Sequence, residues 1–316
     1  MFDVVALGEL LIDFTPNGKD ENNNPIFTAI PGGAPANFLA ALSKFNKKTA
    51  FIGKVGDDMF GNLLSDTIEK SGIDVSGIIK DKNYFTTLAF VSLSDNGERS
   101  FSFARKPGAD MMLSFEDIPE ELLENTKIFH FGTLSMTSEP SKTATEKAVF
   151  KAKENGALIS FDPNYRAPLW ENVEDAKERM LWGLNNADII KISDEEVEML
   201  TDKTYEDFAK DLLSKNAKLI FVTCGKDGCY FFNKNASGFI PAFKVDTIDT
   251  NGAGDIFGGS ALSKVLEFGK APEELNKTEL EKIVTFACAS AALSTTKHGA
   301  IPSIPSFDEI SFLVTT

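Results

Sequence analysis

The run Asp249-Thr250-Asn251-Gly252-Ala253-Gly254-Asp255 sets glycines and carboxylates at the entry to an apolar stretch, Ile256-Phe257-Gly258-Gly259-Ser260-Ala261-Leu262, that reads as the first turns of a helix. Glycines entering a helix leave backbone N–H groups uncovered and let a ligand approach the main chain. Those groups and the helix dipole favour an anion. Asp255 falls in the first turn, a carboxylate beside a ready-made anion site. Phosphoryl transfer to a hydroxyl needs that pairing, because one group takes the proton while the other holds the developing charge. The same run also reads as an ordinary Gly-rich helix start with Asp as a first-turn residue.

Other residues of the right types follow strand-like runs. The N-terminal strand leads into Gly8-Glu9-Leu10-Leu11-Ile12-Asp13, and a carboxylate at Asp13 suits a polyhydroxyl ligand. Gly32 and Gly33 permit close backbone approach, and Asn37 offers both a donor and an acceptor. A turn followed by a helix cap would use the same residues. Asp162-Pro163-Asn164-Tyr165-Arg166 places a guanidinium fork, suited to phosphate oxygens, after another strand. In Lys191-Ile192-Ser193-Asp194-Glu195-Glu196, Ser193 and Glu196 match a capping box, while Glu196 could also act on Mg²⁺ through water. Thr223, Gly225 and Gly228 suit nucleotide contacts, although alone they are an ordinary tight turn. Cys224, Cys229 and Cys288 have neither zinc nor disulfide spacing. His130 and His298, the two histidines, read as structural.

The elements that must position these groups alternate between strand and helix. Strand candidates are Val4–Leu7, Ala50–Ile52, Ile128–Phe131, Leu158–Phe161, Ile189–Ile192 and Leu219–Thr223. Helix candidates are Ala36–Phe45, Phe60–Ser71, Ser141–Asn155, Asp194–Leu200, Asp255–Phe268 and Leu280–Thr295. This alternation predicts parallel strands with helices on both faces. Thr86–Leu93 and Ser100–Ala104 break it, as two strand-like runs around Asn96-Gly97, a hairpin signal. With the polar, turn-rich stretch Phe14–Ile30 they are expected to form a small β lid apart from the main sheet. An edge hairpin without a lid role fits the same pattern.

Composition narrows the classes. The 316 residues are 42% hydrophobic, enough for a large core, and the net charge of −15 disfavours nonspecific nucleic-acid binding. A local basic pocket for an anionic substrate remains compatible with an acidic exterior. No signal-peptide-like or bilayer-length run occurs, so a cytoplasmic protein with reduced thiols and no membrane partner is expected. The motifs of P-loop enzymes, Rossmann dehydrogenases and protein kinases are absent.

Together these runs resemble the ribokinase-like (PfkB) carbohydrate kinases over Val4 to Pro305. The Asp249–Asp255 run looks like that family's D-T-x-G-A-G-D motif. Gly32-Gly33 through Asn37, with Gly53-Lys54-Val55-Gly56-Asp57-Asp58-Met59-Phe60-Gly61, looks like its N-terminal motif. Within the family the chain is most similar to fructokinases, on Gly8–Asp13, Pro31–Asn37, Phe103-Ala104-Arg105, Ala109-Asp110, Asp162–Arg166 and Lys191-Ile192-Ser193. The resemblance implies a three-layer αβα kinase domain over 1–316, with lid segments at about 14–30 and 84–105.

It also implies the roles. Asp255 would be the base, and the N–H groups of Gly252, Ala253 and Gly254 the anion hole, with Arg166 supporting the phosphoryl region. Asp13, Gly32, Gly33 and Asn37 would hold the sugar, with Arg105 reaching in from the lid. Asn164, Lys191 and Glu196 would serve the phosphates and Mg²⁺. Thr223, Gly225, Gly228, Lys297 and Gly299 would line the ATP side. A monovalent-cation site, for K⁺, would use Asp249, the carbonyl of Asn251, and a C-terminal loop around Ser294, Lys297, Gly299 and Ser303. Asn251 stands where fructokinases commonly have Thr, and Ser193 where other members have Asn. The implied activity is ATP-dependent phosphorylation of D-fructose to fructose 6-phosphate. A 2-keto-3-deoxygluconate kinase or a ribokinase is the nearest rival, since Arg105 could meet a substrate carboxylate. A non-catalytic sugar-binding regulator is a rival of another class. The helix N-terminus should keep Asp255 ionised without a raised pKa. Exposed lid edges invite pairing with a second copy, so a homodimer through the lid is expected.

Overall fold

The computed structural model describes residues 1–93 and 99–315. Its strands are β1 (Phe2–Leu7), β2 (Leu11–Lys19), β3 (Pro25–Gly32), β4 (Thr49–Gly56), β5 (Ile73–Asp81), β6 (Leu88–Leu93), β7 (Arg99–Ala104), β8 (Thr126–Phe131), β9 (Leu158–Phe161), β10 (Ile189–Ser193), β11 (Leu219–Thr223), β12 (Gly228–Asn233) and β13 (Ser237–Pro241). Its α-helices are α1 (Ala34–Lys44), α2 (Met59–Lys70), α3 (Glu120–Glu124), α4 (Ser141–Glu154), α5 (Val173–Asn186), α6 (Asp194–Leu200), α7 (Tyr205–Leu213), α8 (Ala253–Phe268), α9 (Lys277–Ser294) and α10 (Phe307–Thr315).

Nine strands form one sheet in the order β13-β12-β11-β10-β9-β8-β1-β4-β5. The run from β11 to β5 is parallel, and β12 and β13 extend it antiparallel. The parallel part is what strand–helix alternation predicts. The antiparallel edge arises because β11 returns through a tight turn, closed by Cys224 N–H donating to the Gly228 carbonyl at 2.8 Å, with no helix between.

β1 shows why helices cover both faces. Side chains alternate along a strand. Val4 and Ala6 join a core with Leu39 and Leu42 of α1, Val265 of α8 and Ile283 of α9. Val5 and Leu7 join a second core with Val149 of α4, Leu184 of α5, Val197 of α6 and Phe208 of α7. The result is a three-layer αβα body. Among the described residues, no helix is long and apolar enough to cross a membrane.

A second, four-stranded sheet has the order β3-β2-β6-β7. It unites the two segments expected to form a lid. β2 runs parallel to β6, with Ile12 opposite Leu88 and Phe14 opposite Phe90, while β2–β3 and β6–β7 are antiparallel. The sheet begins at Leu11, earlier than the expected Phe14. Asp13 therefore belongs to the small sheet and not to the end of β1. The Asn96-Gly97 turn lies outside the described residues.

Candidate active site

The parallel strands finish along one edge of the large sheet. Leu7 pairs with Phe131, Phe131 with Phe161, Phe161 with Ile190, and Ser193 with Thr223. Ligands of open parallel sheets bind beyond such an edge. The segments Asp162–Arg166, Ser193–Glu196 and Thr223–Gly228 follow it directly, and α8 starts there. Gly252 caps α8 in the left-handed conformation, at φ 72°, and Asp255 is the third helical residue. A Cβ on Gly252 would also lie 2.4 Å from the Ala300 Cβ, so glycine is required for both reasons.

Two amides hold the Asp255 carboxylate. Asn37 Nδ2 donates to Oδ2 and Asn164 Nδ2 to Oδ1, each at 2.9 Å. The meeting of α1 with α8 depends on Gly259, whose Cβ would come within 2.4 Å of the Phe38 carbonyl oxygen. Burial pushes the Asp255 carboxyl above the usual carboxylate range, against the two amides and the charges of Arg166 and Lys191. This corrects the expectation that the helix terminus keeps Asp255 ionised without a raised pKa. Desolvation outweighs the two amides and the two cations, and the shift moves Asp255 toward the basicity that proton abstraction needs.

On one side of Asp255 lies a chamber of about 90 Å³, lined by Asp13, Gly33, Asn37, Asn164 and Arg166 among others. Phe103 of the small sheet also lines it. Burial pushes Asp13 up to about 6, Arg166 opposing and Asp255 and Asp249 adding. Gly32 lies against Asp13, where a Cβ would meet its Oδ2 at 2.5 Å. Asn37 Oδ1 is buried with no protein partner. An unsatisfied buried acceptor is costly, so a ligand hydroxyl donating to it would be stabilising.

Arg105 does not line this chamber. Its Nε donates to Asp110 Oδ2 at 2.7 Å, and its two terminal nitrogens donate to Thr137 Oγ1 and the Leu134 carbonyl, each at 2.9 Å. It is 5% exposed and supports the chamber wall from behind. The sequence placed it in the lid, and β7 does end beside it, but Asp110 holds its charge inside.

On the other side of Asp255 a cleft of about 580 Å³ is lined by Lys191, Thr223, Gly225, Gly228, Ala253 and Gly254, among others. Lys191 Nζ pairs with Asp162 Oδ2 at 3.0 Å and lies 3.1 Å from where a Gly254 Cβ would be. A cation thus borders the helix N-terminus. Burial alone would lower the Lys191 pKa, but Asp162, Glu196 and Asp255 outweigh it and hold the ammonium above its ordinary value. Glu196 is the capping-box partner of Ser193 and also accepts the Tyr165 N–H at 2.8 Å, tying the Asn164 loop to α6. Asn164 sits at φ 47°, which Asn tolerates better than most residues.

Asp249 is buried behind the Gly-rich run. Its Oδ1 accepts the Asn251 N–H and its Oδ2 the Gly299 N–H, each at 3.0 Å, so one carboxylate joins the Gly-rich run to the 297–303 loop. Ser294 and Ser303 donate their hydroxyls to the Ala291 and Ala300 carbonyls, each at 2.8 Å, and keep the hydroxyl lone pairs and their main-chain oxygens as acceptors. Lys297 sends its ammonium to Glu309, 3.1 Å away on α10, and not into the cleft. Its long exposed chain follows the nearest surface carboxylate. Among the described residues, no cluster of three His, Cys, Asp or Glu side chains could hold a metal ion.

Two buried groups stand apart from the roles read from sequence. Glu9 lines the small chamber; it belongs to the Gly8–Asp13 run that carries the resemblance, but the sequence assigns it no role of its own. His130 stacks on Phe38 with ring centroids 3.8 Å apart, and burial lowers its pKa to about 3. It is a neutral core residue, as its isolation in the sequence suggests. The three cysteines are free and buried.

Comparison with known proteins adds independent findings. The family model described as "pfkB family carbohydrate kinase" matches residues 1–306. A probable fructokinase-3 of Arabidopsis thaliana is 44% identical over 315 residues, covering 98% of this chain and 91% of that protein. A fructokinase from Xylella fastidiosa with bound ATP superposes with a TM-score of 0.91 at 31% identity, covering 100% of this chain and 99% of the other. A double mutant of the Vibrio cholerae O395 fructokinase, in a form with bound fructose, ADP and potassium ion, gives 0.87 at 29% identity, covering 99% and 98%.

Proposed function

We propose that this chain, which belongs to the pfkB family of carbohydrate kinases, transfers the γ-phosphoryl group of ATP to the 6-hydroxyl of D-fructose. It is an ATP-dependent sugar kinase. The observation that carries the acceptor and the roles is the position of residues 250–255. Asn251, Gly252 and Asp255 line the small chamber, while Thr250, Ala253 and Gly254 line the larger cleft. One short run is the shared wall of the small chamber and the larger cleft.

In this reading, Asp13 and Asn37 orient the sugar. The 6-hydroxyl faces Asp255, and the γ-phosphoryl meets the N–H groups at residues 252–254. Asp255 accepts the hydroxyl proton late, as the phosphoryl arrives in a loose transition state. The N–H groups, Lys191 and Arg166 meet the charge on the transferring oxygens. Mg²⁺ bound to the phosphates neutralises charge there. The donor set fits an ion that arrives with the nucleotide and keeps its waters, because both Glu196 oxygens already accept backbone N–H groups from Tyr165 and Ser193. A monovalent cation beside Asp249 would stiffen the anion hole from behind, through carbonyls of the 294–303 loop.

Arg105 favours a neutral sugar over a keto-deoxy acid. Its charge is answered by Asp110, and the chamber presents three carboxyl groups, Glu9, Asp13 and Asp255, against one guanidinium, Arg166. A substrate carboxylate entering there would meet more like charge than opposite charge. In a coupled ADP-release assay with fructose, ribose, mannose, adenosine and 2-keto-3-deoxygluconate, fructose should give the highest kcat/KM and the keto-deoxy acid the lowest. The rate should fall when K⁺ is replaced by tetramethylammonium. A preference for the keto-deoxy acid would overturn the substrate reading, and sugar binding without ADP release would favour a regulator.

The small sheet acts as a lid in this reading, because Asp13 and Phe103 reach the chamber from it. Closure on sugar would exclude water and limit wasteful ATP hydrolysis. Limited proteolysis should therefore cut residues 84–105 more slowly with fructose present. Identical cleavage rates with and without the sugar would rule closure out.

A further inference from the structure

We propose that Glu9 is the cap of α1, supplied from another part of the chain, and that it sets sugar affinity by holding Asn37 in place against Asp255. The proposal rests on the reading of the small chamber as the sugar site.

The first turn of α1 lacks a cap of its own. Its N-cap residue is Gly33, which has no side chain, and Pro35 has no N–H to offer. A helix start without a side-chain acceptor loses stabilisation, and a carboxylate is the group the dipole favours there. Glu9 supplies it, with Oε1 accepting the Ala34 N–H at 2.8 Å.

The contact has little slack. A Cβ on Gly33 would lie 2.4 Å from the Glu9 carbonyl oxygen, and one on Gly8 would lie 2.6 Å from Pro35 Cγ. The segment after β1 and the start of α1 are therefore in backbone contact, and the Glu9 carboxylate closes the join. Asn37 lies in that same first turn. Its Nδ2 is committed to Asp255, and its Oδ1 is the buried acceptor left for a ligand. A small rotation of the helix start would spoil both functions.

Glu9 is 4% exposed. Burial pushes its carboxyl up to about 7, the Ala34 N–H and Arg105 opposing and Asp110 adding. A small cavity joins it to His130, Asp162, Asn164 and Asp255. Holding a carboxylate in such surroundings is unfavourable unless something uses its charge, and the helix start does.

Glu9→Gln keeps the shape and an acceptor oxygen but removes the charge. At pH 8 it should lower kcat/KM for fructose by about tenfold, mainly through KM, with KM for ATP changed less than about twofold. In an Asn37→Ala background the same change should cost less than about twofold, because the group Glu9 positions is gone. Melting temperatures of all four proteins check folding, and Glu9→Asp, which keeps the charge, should recover part of the affinity. Full additivity of the two substitutions, equal loss for both substrates, or wild-type kinetics in Glu9→Gln would overturn the proposal. A wild-type protein that releases no ADP with fructose would instead overturn the sugar-site reading on which it rests.

Discussion

Replacing Asp255 by Asn lowers kcat by about 10²–10⁴-fold, with sugar affinity nearly preserved. The size follows from the role. A carboxamide cannot accept the hydroxyl proton, so the transfer must proceed with the proton still on the sugar oxygen or lost to water. Affinity is spared because Asp13 and the Asn37 carbonyl remain. One local change accompanies the substitution. Asn37 and Asn164 each donate an N–H to Asp255, and an amide can accept with one of its two polar atoms only. Turning the Asn164 amide so that its oxygen faces the new carboxamide leaves the Asn37 carbonyl in place and adds a modest structural cost to the chemical one. Turnover and sugar affinity, by initial rates and by calorimetry without nucleotide, check the result. Near-wild-type turnover would remove Asp255 from the mechanism.

Gly252→Ala is expected to lower kcat by about 10²-fold, while the sugar dissociation constant moves much less. The cause is geometric. Residue 252 caps α8 at φ 72°, a conformation in which a side chain is strained, and the added Cβ would fall 2.4 Å from the Ala300 Cβ. The clash can be relieved by moving the 299–300 loop or the cap itself. Either movement disturbs the N–H groups at 252–254, and the first also disturbs the Gly299 N–H held by Asp249. Oriented donors act on the transition state, so the loss should appear in kcat and not in ground-state sugar binding. Circular dichroism and a melting curve separate this from unfolding. A folded variant with unchanged kcat would show that the cap geometry does not serve the anion hole.

Much of the framework was legible in the sequence because it is encoded locally. Apolar runs such as Ile128–Phe131 and Leu219–Thr223 are buried on both faces, and a buried parallel strand reads that way without knowledge of its neighbours. The capping pair Ser193 and Glu196 formed as its spacing required. Less visible were α5 and α7, charged segments with few buried residues: Ala176, Met180, Gly183 and Leu184 in α5, and Phe208, Ala209 and Leu212 in α7. β12 and β13 were missed because antiparallel edge strands interrupt the alternation on which the reading relied.

The site divides in the same way. The sequence by itself determined the Gly-rich helix start, the carboxylate in its first turn and the chain's place among the carbohydrate kinases, since these depend on residue types at short fixed spacings. The tertiary structure decided how those groups behave. Asn37 meets Asp255 across 218 residues only because α1 and α8 cross at Gly259. Asp255 is raised and not lowered because burial, which no short spacing encodes, outweighs the Asn37 and Asn164 amides and the Arg166 and Lys191 charges. Arg105 faces Asp110 and not the chamber, and Glu9 becomes a helix cap, for the same reason. Desolvation and pairing are set by everything that surrounds a group, and distant parts of the chain become its surroundings only when the chain is folded.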